Sequence, residues 1–209
     1  MFQALAAGAL ALASLTSPAS AHARATPPPA KMVIDVVMAN GSGCPKDTAY
    51  VLPAPDNTAF TVTYSNYIAQ VGAGSGADEF RRNCQLALNV HVPQGYTYAI
   101  AKADYRGYAR LQTGAWGYEQ ANYYFQGESH TTRSRHDFRG YYDNDWQASD
   151  VVGIESLSWA PCGGKRFLNV NTELRVGMGT SDPKLNSQLT MDSTDTSIST
   201  IYHVAWKKC

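Results

Sequence analysis

The sequence lacks long apolar runs after its first fifteen residues, blocks of like charge and any extended helical periodicity. Its 209 residues include 17 basic and 17 acidic side chains, so the formal net charge is zero. A balanced chain without a basic stripe attracts neither a phosphate backbone nor anionic lipids. Apolar residues do not recur at i, i+3, i+4 and i+7 over successive turns. These absences exclude a nucleic-acid partner, membrane insertion of the mature chain and a helical fold.

Catalytic and cofactor motifs are also missing. No G-x-S-x-G elbow occurs, which excludes a serine hydrolase of that type. Residues 72–77 match G-x-G-x-x-A, but a strand pattern follows them where a dinucleotide site needs a helix. We therefore predict no cofactor and interpret this segment as a flexible hairpin loop. His91 and His203 lie in strand patterns and are interpreted as structural or surface residues.

The N-terminus has the features of a secretory signal peptide. Residues 2–15 are small or apolar and uncharged, and Ala21-His22-Ala23 has the small-x-small form of a cleavage site. The apolar run is shorter than the roughly 20 residues that span a bilayer as a helix. We expect a signal peptide at 1–23, a proline-rich arm at 24–31 and a single domain at 32–209. The mature protein should be secreted and extracellular.

Four cysteines lie in the mature part of the chain: Cys44, Cys84, Cys162 and Cys209. An even number in an exported chain predicts two disulfides. Of the three pairings, we favour the sequential one, Cys44–Cys84 and Cys162–Cys209, because each bond then closes a loop inside one half of the chain. Each bond would contribute roughly 4 kcal/mol. The alternative, a zinc site, lacks the C-x-x-C pairs that present two thiolates to one metal.

Alternation with a period of two runs through the domain and predicts β-strands. The clearest case is residues 84–92, where Cys84, Leu86 and Leu88 share one face while Gln85 and Asn89 share the other. Similar patterns predict strands near residues 33–38, 60–65, 96–101, 105–111, 118–126, 154–159, 167–176 and 201–206. Since helical crossovers are absent, we expect an all-β fold of eight or nine strands, an antiparallel, jelly-roll-like β-sandwich with two disulfides.

Residues 128–150 break the pattern, because they are polar and uneven. We expect a long loop here, and such loops are commonly functional or disordered. Its candidates for acid–base chemistry are His130, His136, Asp137, Asp143 and Asp145. We predict no metal, and His130, His136, Asp143 and Asp145 are the only candidate ligands. Asp143-Asn144-Asp145 resembles the start of a calcium loop but lacks the glycine and distal glutamate of an EF-hand. A solvated loop without a site is the alternative interpretation.

Aromatic residues are abundant, with 13 tyrosines and 4 tryptophans. Flat rings stack on the apolar faces of sugars and form adaptable interfaces. The alternative is that alternating rings fill the core of the sandwich. Candidate binding residues are Trp116, Tyr118, Tyr141, Tyr142 and Trp146. Asn40-Gly41-Ser42 is an N-glycosylation sequon, usable in a eukaryotic cell.

Blocks of sequence along the whole domain resemble the secreted proteins of domain-of-unknown-function family 4360. The blocks are GSGCP at 41–45, FTV at 60–62, YSNY at 64–67, RNCQL at 82–86, PQGY at 93–96, DYRGY at 104–108, YFQG at 124–127, WAPCG at 159–163, LNVN at 168–171 and WKKC at 206–209. The resemblance implies a small exported protein of bacteria and fungi with paired cysteines. It carries over no catalytic residues.

Three functions are compatible with the sequence. The first is a secreted, non-catalytic binding protein for cell-wall or surface polysaccharide, and the second is an effector or inhibitor that binds a protein through the Arg-rich segment at 128–150. The third is an extracellular hydrolase or lyase whose site lies in that segment. We expect a monomer whose partner is an extracellular glycan or protein.

Overall fold

The computed structural model describes residues 26–129, 131–191 and 199–209. Within these residues the chain forms twelve β-strands and one short 3-10 turn at Ile154–Ser156. The strands are β1 (Val33–Asn40), β2 (Ala49–Pro53), β3 (Ala59–Tyr64), β4 (Ile68–Val71), β5 (Arg81–His91), β6 (Tyr96–Leu111), β7 (Trp116–Phe125), β8 (Thr132–Arg139), β9 (Tyr142–Val151), β10 (Leu168–Gly177), β11 (Ser187–Thr190) and β12 (Thr200–Lys208). The predicted signal peptide at 1–23 lies outside the described residues.

Two antiparallel sheets make up the molecule. The five-stranded sheet has the order β1-β5-β10-β7-β8, and the seven-stranded sheet has the order β2-β3-β12-β6-β11-β4, with β9 also paired to β6. Every pair of neighbouring strands is antiparallel. The prediction of an antiparallel β-sandwich is therefore confirmed.

Strand alternation decides which side chains enter the core. On β10, Leu168, Val170 and Leu174 point inward and are buried, while Asn169 and Asn171 point outward. Tyrosine fills much of the space between the sheets, since Tyr64, Tyr67, Tyr98, Tyr105 and Tyr202 are among the largest fully buried side chains. Much of the aromatic surplus is thus core packing, as the alternative interpretation holds.

Both disulfides of the predicted fold are present and follow the sequential pairing. Cys44–Cys84 ties the segment after β1 to β5, and Cys162–Cys209 ties the chain before β10 to the residue after β12. No cysteine is free. Each sheet therefore has a covalent link close to a strand end, where fraying would otherwise begin.

The end of the predicted arm packs onto the domain instead of extending from it. The side-chain amide of Asn57 donates hydrogen bonds to the carbonyls of Pro28 (2.9 Å) and Ala30 (2.8 Å), and its oxygen accepts one from the Met32 amide (2.8 Å). The Asn57 carbonyl in turn accepts the indole N–H of Trp206 at 2.7 Å. These bonds fix residues 28–32 on the sandwich.

The prediction of a long loop at 128–150 is wrong, because β8 and β9 occupy most of it. Its strands escape a search for apolar alternation because the outward face of β8 carries Arg133, Arg135, Asp137 and Arg139, and the other face carries only one apolar side chain, Phe138. The strand predicted at 154–159 is also wrong, since Ser156 bonds back to Gly153 and closes a turn. The described residues hold twelve strands, because β2, β4, β8, β9 and β11 lack the expected pattern and are not predicted from it. The two strands predicted at 96–101 and 105–111 are instead one continuous strand, β6.

Candidate functional site

The outward face of the five-stranded sheet carries a row of polar side chains, four amides and one arginine, that crosses every strand. Register places one residue of each strand in this row, which we call the amide ladder: Asn40, Gln85, Asn171, Asn122 and Arg133. A second row beside it consists of Asn83, Glu173, Gln120 and Arg135. Alternation explains the shared face, since each member is two residues from the next outward side chain of its own strand.

The middle of the two rows lines a shallow groove of about 180 Å³, whereas Asn40, Arg133 and Arg135 lie outside its lining. Gln85 is exposed, and Gln120, Asn122 and Asn171 are half-buried. Within the described residues these four side chains make no hydrogen bond. Each amide offers both a donor and an acceptor. The groove therefore presents neutral hydrogen-bonding groups that are open to a ligand.

Aromatic rings border the groove on β7. Trp116 stacks on Tyr118 with ring centroids 6.2 Å apart and planes 11° apart. The guanidinium of Arg135 covers the other side of the Tyr118 ring at 3.8 Å from its centroid. Gly177 faces Trp116 across the sheet, and a Cβ there would lie 2.2 Å from Trp116 Cε2. A glycine at this position lets the indole lie against the sheet.

Two ion pairs lie beside the groove. The Glu173 carboxylate accepts bonds from Arg81 Nε at 2.9 Å and from the Tyr118 hydroxyl at 2.7 Å. Burial raises the pKa of Glu173, but the bonds from Arg81 and Tyr118 outweigh it and hold that pKa below its ordinary value. Arg135 pairs with Asp137 at 2.7 Å. These two pairs are neutral, whereas Arg133 at the end of the ladder and Arg175 beside Glu173 have no ion pair among the described residues.

A different polar cluster lies where β8 and β9 approach each other. His136 Nε2 is 3.0 Å from Asp150 Oδ1, and the Ser134 hydroxyl also donates to Asp150. Burial raises the pKa of Asp150, whereas the bonds from His136 and Ser134 lower it, and the net pKa is below the ordinary value. Because β8 belongs to one sheet and β9 to the other, these bonds hold the two sheets together at this edge.

Glu119 lies behind this cluster in the core. It is the β7 partner of His136, is 0% exposed, and has Oε2 3.9 Å from His136 Nε2. Neither carboxyl oxygen has a hydrogen-bond partner among the described residues. Burial, and then the nearby Asp150 charge, raise the pKa of Glu119 well above its ordinary value. A buried carboxyl that accepts no hydrogen bond takes its neutral form.

A second carboxylate has the same kind of surroundings on the seven-stranded sheet. Asp104 receives bonds from Ser149, from His203 at 2.7 Å and from Lys102 at 2.8 Å. Burial raises its pKa, but these three partners lower it to about 2. Here, as at Asp150, serine and histidine bond to one carboxylate. A serine nucleophile is activated when the histidine stands between serine and aspartate, and neither cluster has that order.

The predicted aromatic candidates separate into two groups. Trp116 and Tyr118 lie on the groove face, although Tyr118 is buried beneath Arg135. The prediction that Trp146 binds a ligand is wrong, because this side chain is 4% exposed and packs on Phe138, so its ring offers no surface to a ligand. Tyr141 is 69% exposed at the β8–β9 turn, and the half-buried Tyr142 packs against Phe138 with its hydroxyl on the Asp145 carbonyl. The structure does not bring the five together.

The polar candidates of 128–150 are also dispersed. Asp143 accepts the Tyr108 hydroxyl, Asp137 pairs with Arg135, Asp145 is exposed, and His136 bonds to Asp150. His130 lies outside the described residues. Among the residues the structure does describe, no three His, Cys, Asp or Glu side chains are grouped so as to hold a metal ion.

Sequence reasoning missed the amide ladder. Its signal is present in the polar halves of the strand patterns, where Gln85, Asn122 and Asn171 alternate with core residues. Only register shows that they are neighbours, because β5, β7 and β10 are far apart in the chain. The sequon residue Asn40 ends the ladder, with Ser42 Oγ 3.3 Å from Asn83 Oδ1, and its glycosylation stays a prediction.

In the described part of the chain, no helix has the length and apolarity to cross a membrane.

Comparison with known proteins gives a family and a relative. The family model described as a domain of unknown function (DUF4360) matches residues 30–209. An uncharacterized secreted protein of Arthroderma benhamiae is 37% identical over 183 residues, which cover 88% of this chain and 74% of that protein. The prediction of a secreted protein is thereby confirmed.

Solved structures match this chain as well, and one of them is the enzymatically active domain of bacteriophage CBA120 tailspike protein 4, with 12% identity and a TM-score of 0.22. The match covers 85% of this chain and only 19% of the tailspike chain. A TM-score this low supports no conclusion about this chain.

Proposed function

This chain belongs to the DUF4360 family of domains of unknown function, and we propose that it is a secreted, non-catalytic protein that binds cell-wall or surface polysaccharide. The observation that carries the proposal is the groove on the outward face of the five-stranded sheet, with its uncommitted amides, and with Trp116 farther along β7 on the same face. Amides bond to sugar hydroxyls in both directions, and an indole stacks on the apolar face of a pyranose ring.

The small volume and the open shape of the groove support a polymer as the ligand. A groove of about 180 Å³ is smaller than the pockets of roughly 300–1,000 Å³ that enclose small molecules. An open, shallow groove across a sheet instead suits a chain that enters at one side and leaves at the other. Its polar groups lie on strands, which hold them more rigidly than loops do.

The test is co-sedimentation of the mature, oxidised protein with chitin, cellulose and insoluble β-1,3-glucan. We expect retention on at least one polymer, and we expect the triple variant Gln120→Ala, Asn122→Ala, Asn171→Ala to lose it. The single variant Trp116→Ala should weaken it less, because Trp116 lies outside the groove lining. Matched controls are Gln147→Ala and Gln188→Ala, which remove amides from β9 and β11 of the seven-stranded sheet.

Retention that survives the groove variants, or is lost equally in the controls, contradicts the assignment to this face. If no polymer retains the protein, the polysaccharide proposal fails, and affinity capture from the surroundings of the secreting cell tests a protein partner instead. A hydrolase or lyase centred on residues 128–150 has less support, because β8 and β9 disperse its candidate residues and Glu119 is unreachable from solvent.

A further inference from the structure

Resting on the proposed function, we infer that the ligand is an extended, uncharged polysaccharide whose chain crosses the five strands along the amide ladder instead of following one strand. The inference concerns the direction and chemical class of the ligand. It uses the register of the sheet and the pairing of charges. Both are properties of the protein and do not depend on which polymer is tested.

The unbroken row of polar side chains indicates the direction in which the ligand lies. Across the strands, the ladder passes from Asn40 to Arg133 without an apolar or acidic side chain. Along single strands the chemistry changes quickly. On β5 the outward row is interrupted by Ala87, and on β10 the step after Asn171 is the charged Glu173.

Spacing agrees with this direction. Neighbouring strands are about 4.8 Å apart, so the five members of the ladder extend over roughly 19 Å. One strand spacing is close to the length that a pyranose unit adds to an extended chain. Along a strand, outward residues are instead about 6.6 Å apart, which leaves a sugar repeat out of step with the side chains.

Aromatic rings frame the ladder on β7. Tyr124 lies on one side of the amide pair Gln120 and Asn122, and Tyr118 with Trp116 lies on the other, all on the outward face. A chain that crosses β7 at the amides passes between these rings. A chain that follows β7 would have to run over them.

Apart from Arg133, the ladder consists of neutral amides, and this gives the chemical class. Glu173 is paired with Arg81 and Arg135 with Asp137, while Arg133 at the end of the ladder and Arg175 beside Glu173 have no ion pair among the described residues. Hydroxyl or acetamido groups match the donors and acceptors of the amides. Binding should therefore depend little on salt, because an uncharged chain releases no counterions and has no charge for these arginines to attract.

The experiment uses soluble chito-, cello- and laminari-oligosaccharides of two to six units as competitors of retention on the insoluble polymers. In the matching series, we expect competition to strengthen up to about five units, one for each strand. Gln85→Ala and Asn122→Ala should each weaken competition by the hexamer roughly three- to tenfold, the loss of about one hydrogen bond. They should change competition by the dimer less.

Control variants lie on the same strands but outside the ladder. Asn89→Ala on β5 and Asn169→Ala on β10 should leave competition by the hexamer unchanged. If they weaken it as much as the ladder variants do, or if competition is already complete with the dimer, the direction is wrong while polysaccharide binding stands. Absence of retention in every series is the failure of the proposed function itself.

Salt tests the chemical class. Retention should be equal in about 0.05 M and about 1 M NaCl, and polygalacturonate should not compete. Competition by polygalacturonate that disappears in high salt and in Arg133→Ala would overturn the assignment of an uncharged ligand.

Discussion

The outward face of the five-stranded sheet and the β8–β9 edge both gather polar and aromatic side chains, but they differ in what those groups contact. On the outward face, Gln120, Asn122 and Asn171 have no internal partner and are reachable. At the edge, His136 and Asp150 are bonded to each other and largely covered. Polar groups that satisfy one another stabilise a fold, whereas accessible groups without partners are available to a ligand.

Trp116 and Trp146 give the sharpest form of this comparison, and the largest expected effect. Trp146→Ala empties a buried site against Phe138 and should lower the free energy of unfolding by about 3–5 kcal/mol. Trp116→Ala should cost much less stability while weakening retention on the polymer. Urea unfolding measures the first, and co-sedimentation of folded protein measures the second. Equal losses of stability would contradict the division.

Asp150→Ala breaks the contact between β8 and β9. The variant removes the acceptor of His136 and Ser134, so we expect a loss of about 2 kcal/mol in the free energy of unfolding. Asp145→Ala, on the outward side of the same strand, removes an exposed carboxylate, and this control should lie within about 0.5 kcal/mol of the native protein. If both variants unfold at the same urea concentration, the bonds to Asp150 do not hold this edge.

Glu119 makes stability depend on pH in a direction set by its raised pKa. In the unfolded chain its carboxyl ionises above about pH 4.5, while in the folded protein it keeps its proton. The stability that this proton provides is therefore complete below that pH and is lost as pH rises toward the folded-state pKa. The lowered pKa of Asp104, about 2, acts only in stronger acid.

Glu119→Gln tests this dependence, because glutamine has nearly the same shape and does not ionise. Between pH 5 and pH 8 the native protein should lose stability relative to the variant, by at most about 1.4 kcal/mol for each pH unit. The measurement is urea unfolding of both proteins across this range. A difference that stays constant with pH would show that Glu119 is charged in the folded protein or titrates as in the unfolded chain.

The groove triple variant is the smallest expected change in stability. Gln120→Ala, Asn122→Ala and Asn171→Ala remove outward side chains that make no internal hydrogen bond, so each should alter the free energy of unfolding by about 0.5 kcal/mol or less. Thermal unfolding of the triple variant checks this. A large loss would show that these amides stabilise the fold, as His136 and Asp150 do at the β8–β9 edge.

The sequence by itself determined the fold class, the sequential disulfides and the core face of strands such as β5 and β10. Apolar alternation is a local property that survives in any sandwich, and an even number of cysteines in an exported chain has few arrangements. On β8 the outward side chains are charged and the inward ones are mostly polar, so the same reasoning predicted a loop where the structure has a strand.

Tertiary structure alone decided the site. Gln85, Asn122 and Asn171 become neighbours only through the register of three strands that are distant in the chain, and register depends on how every strand packs against the core. Burial likewise separated Trp146 from Trp116, and it placed Glu119 in the core although it belongs to a polar stretch of sequence. Pairing across strands and depth beneath the surface are long-range properties, which no local pattern of residues contains.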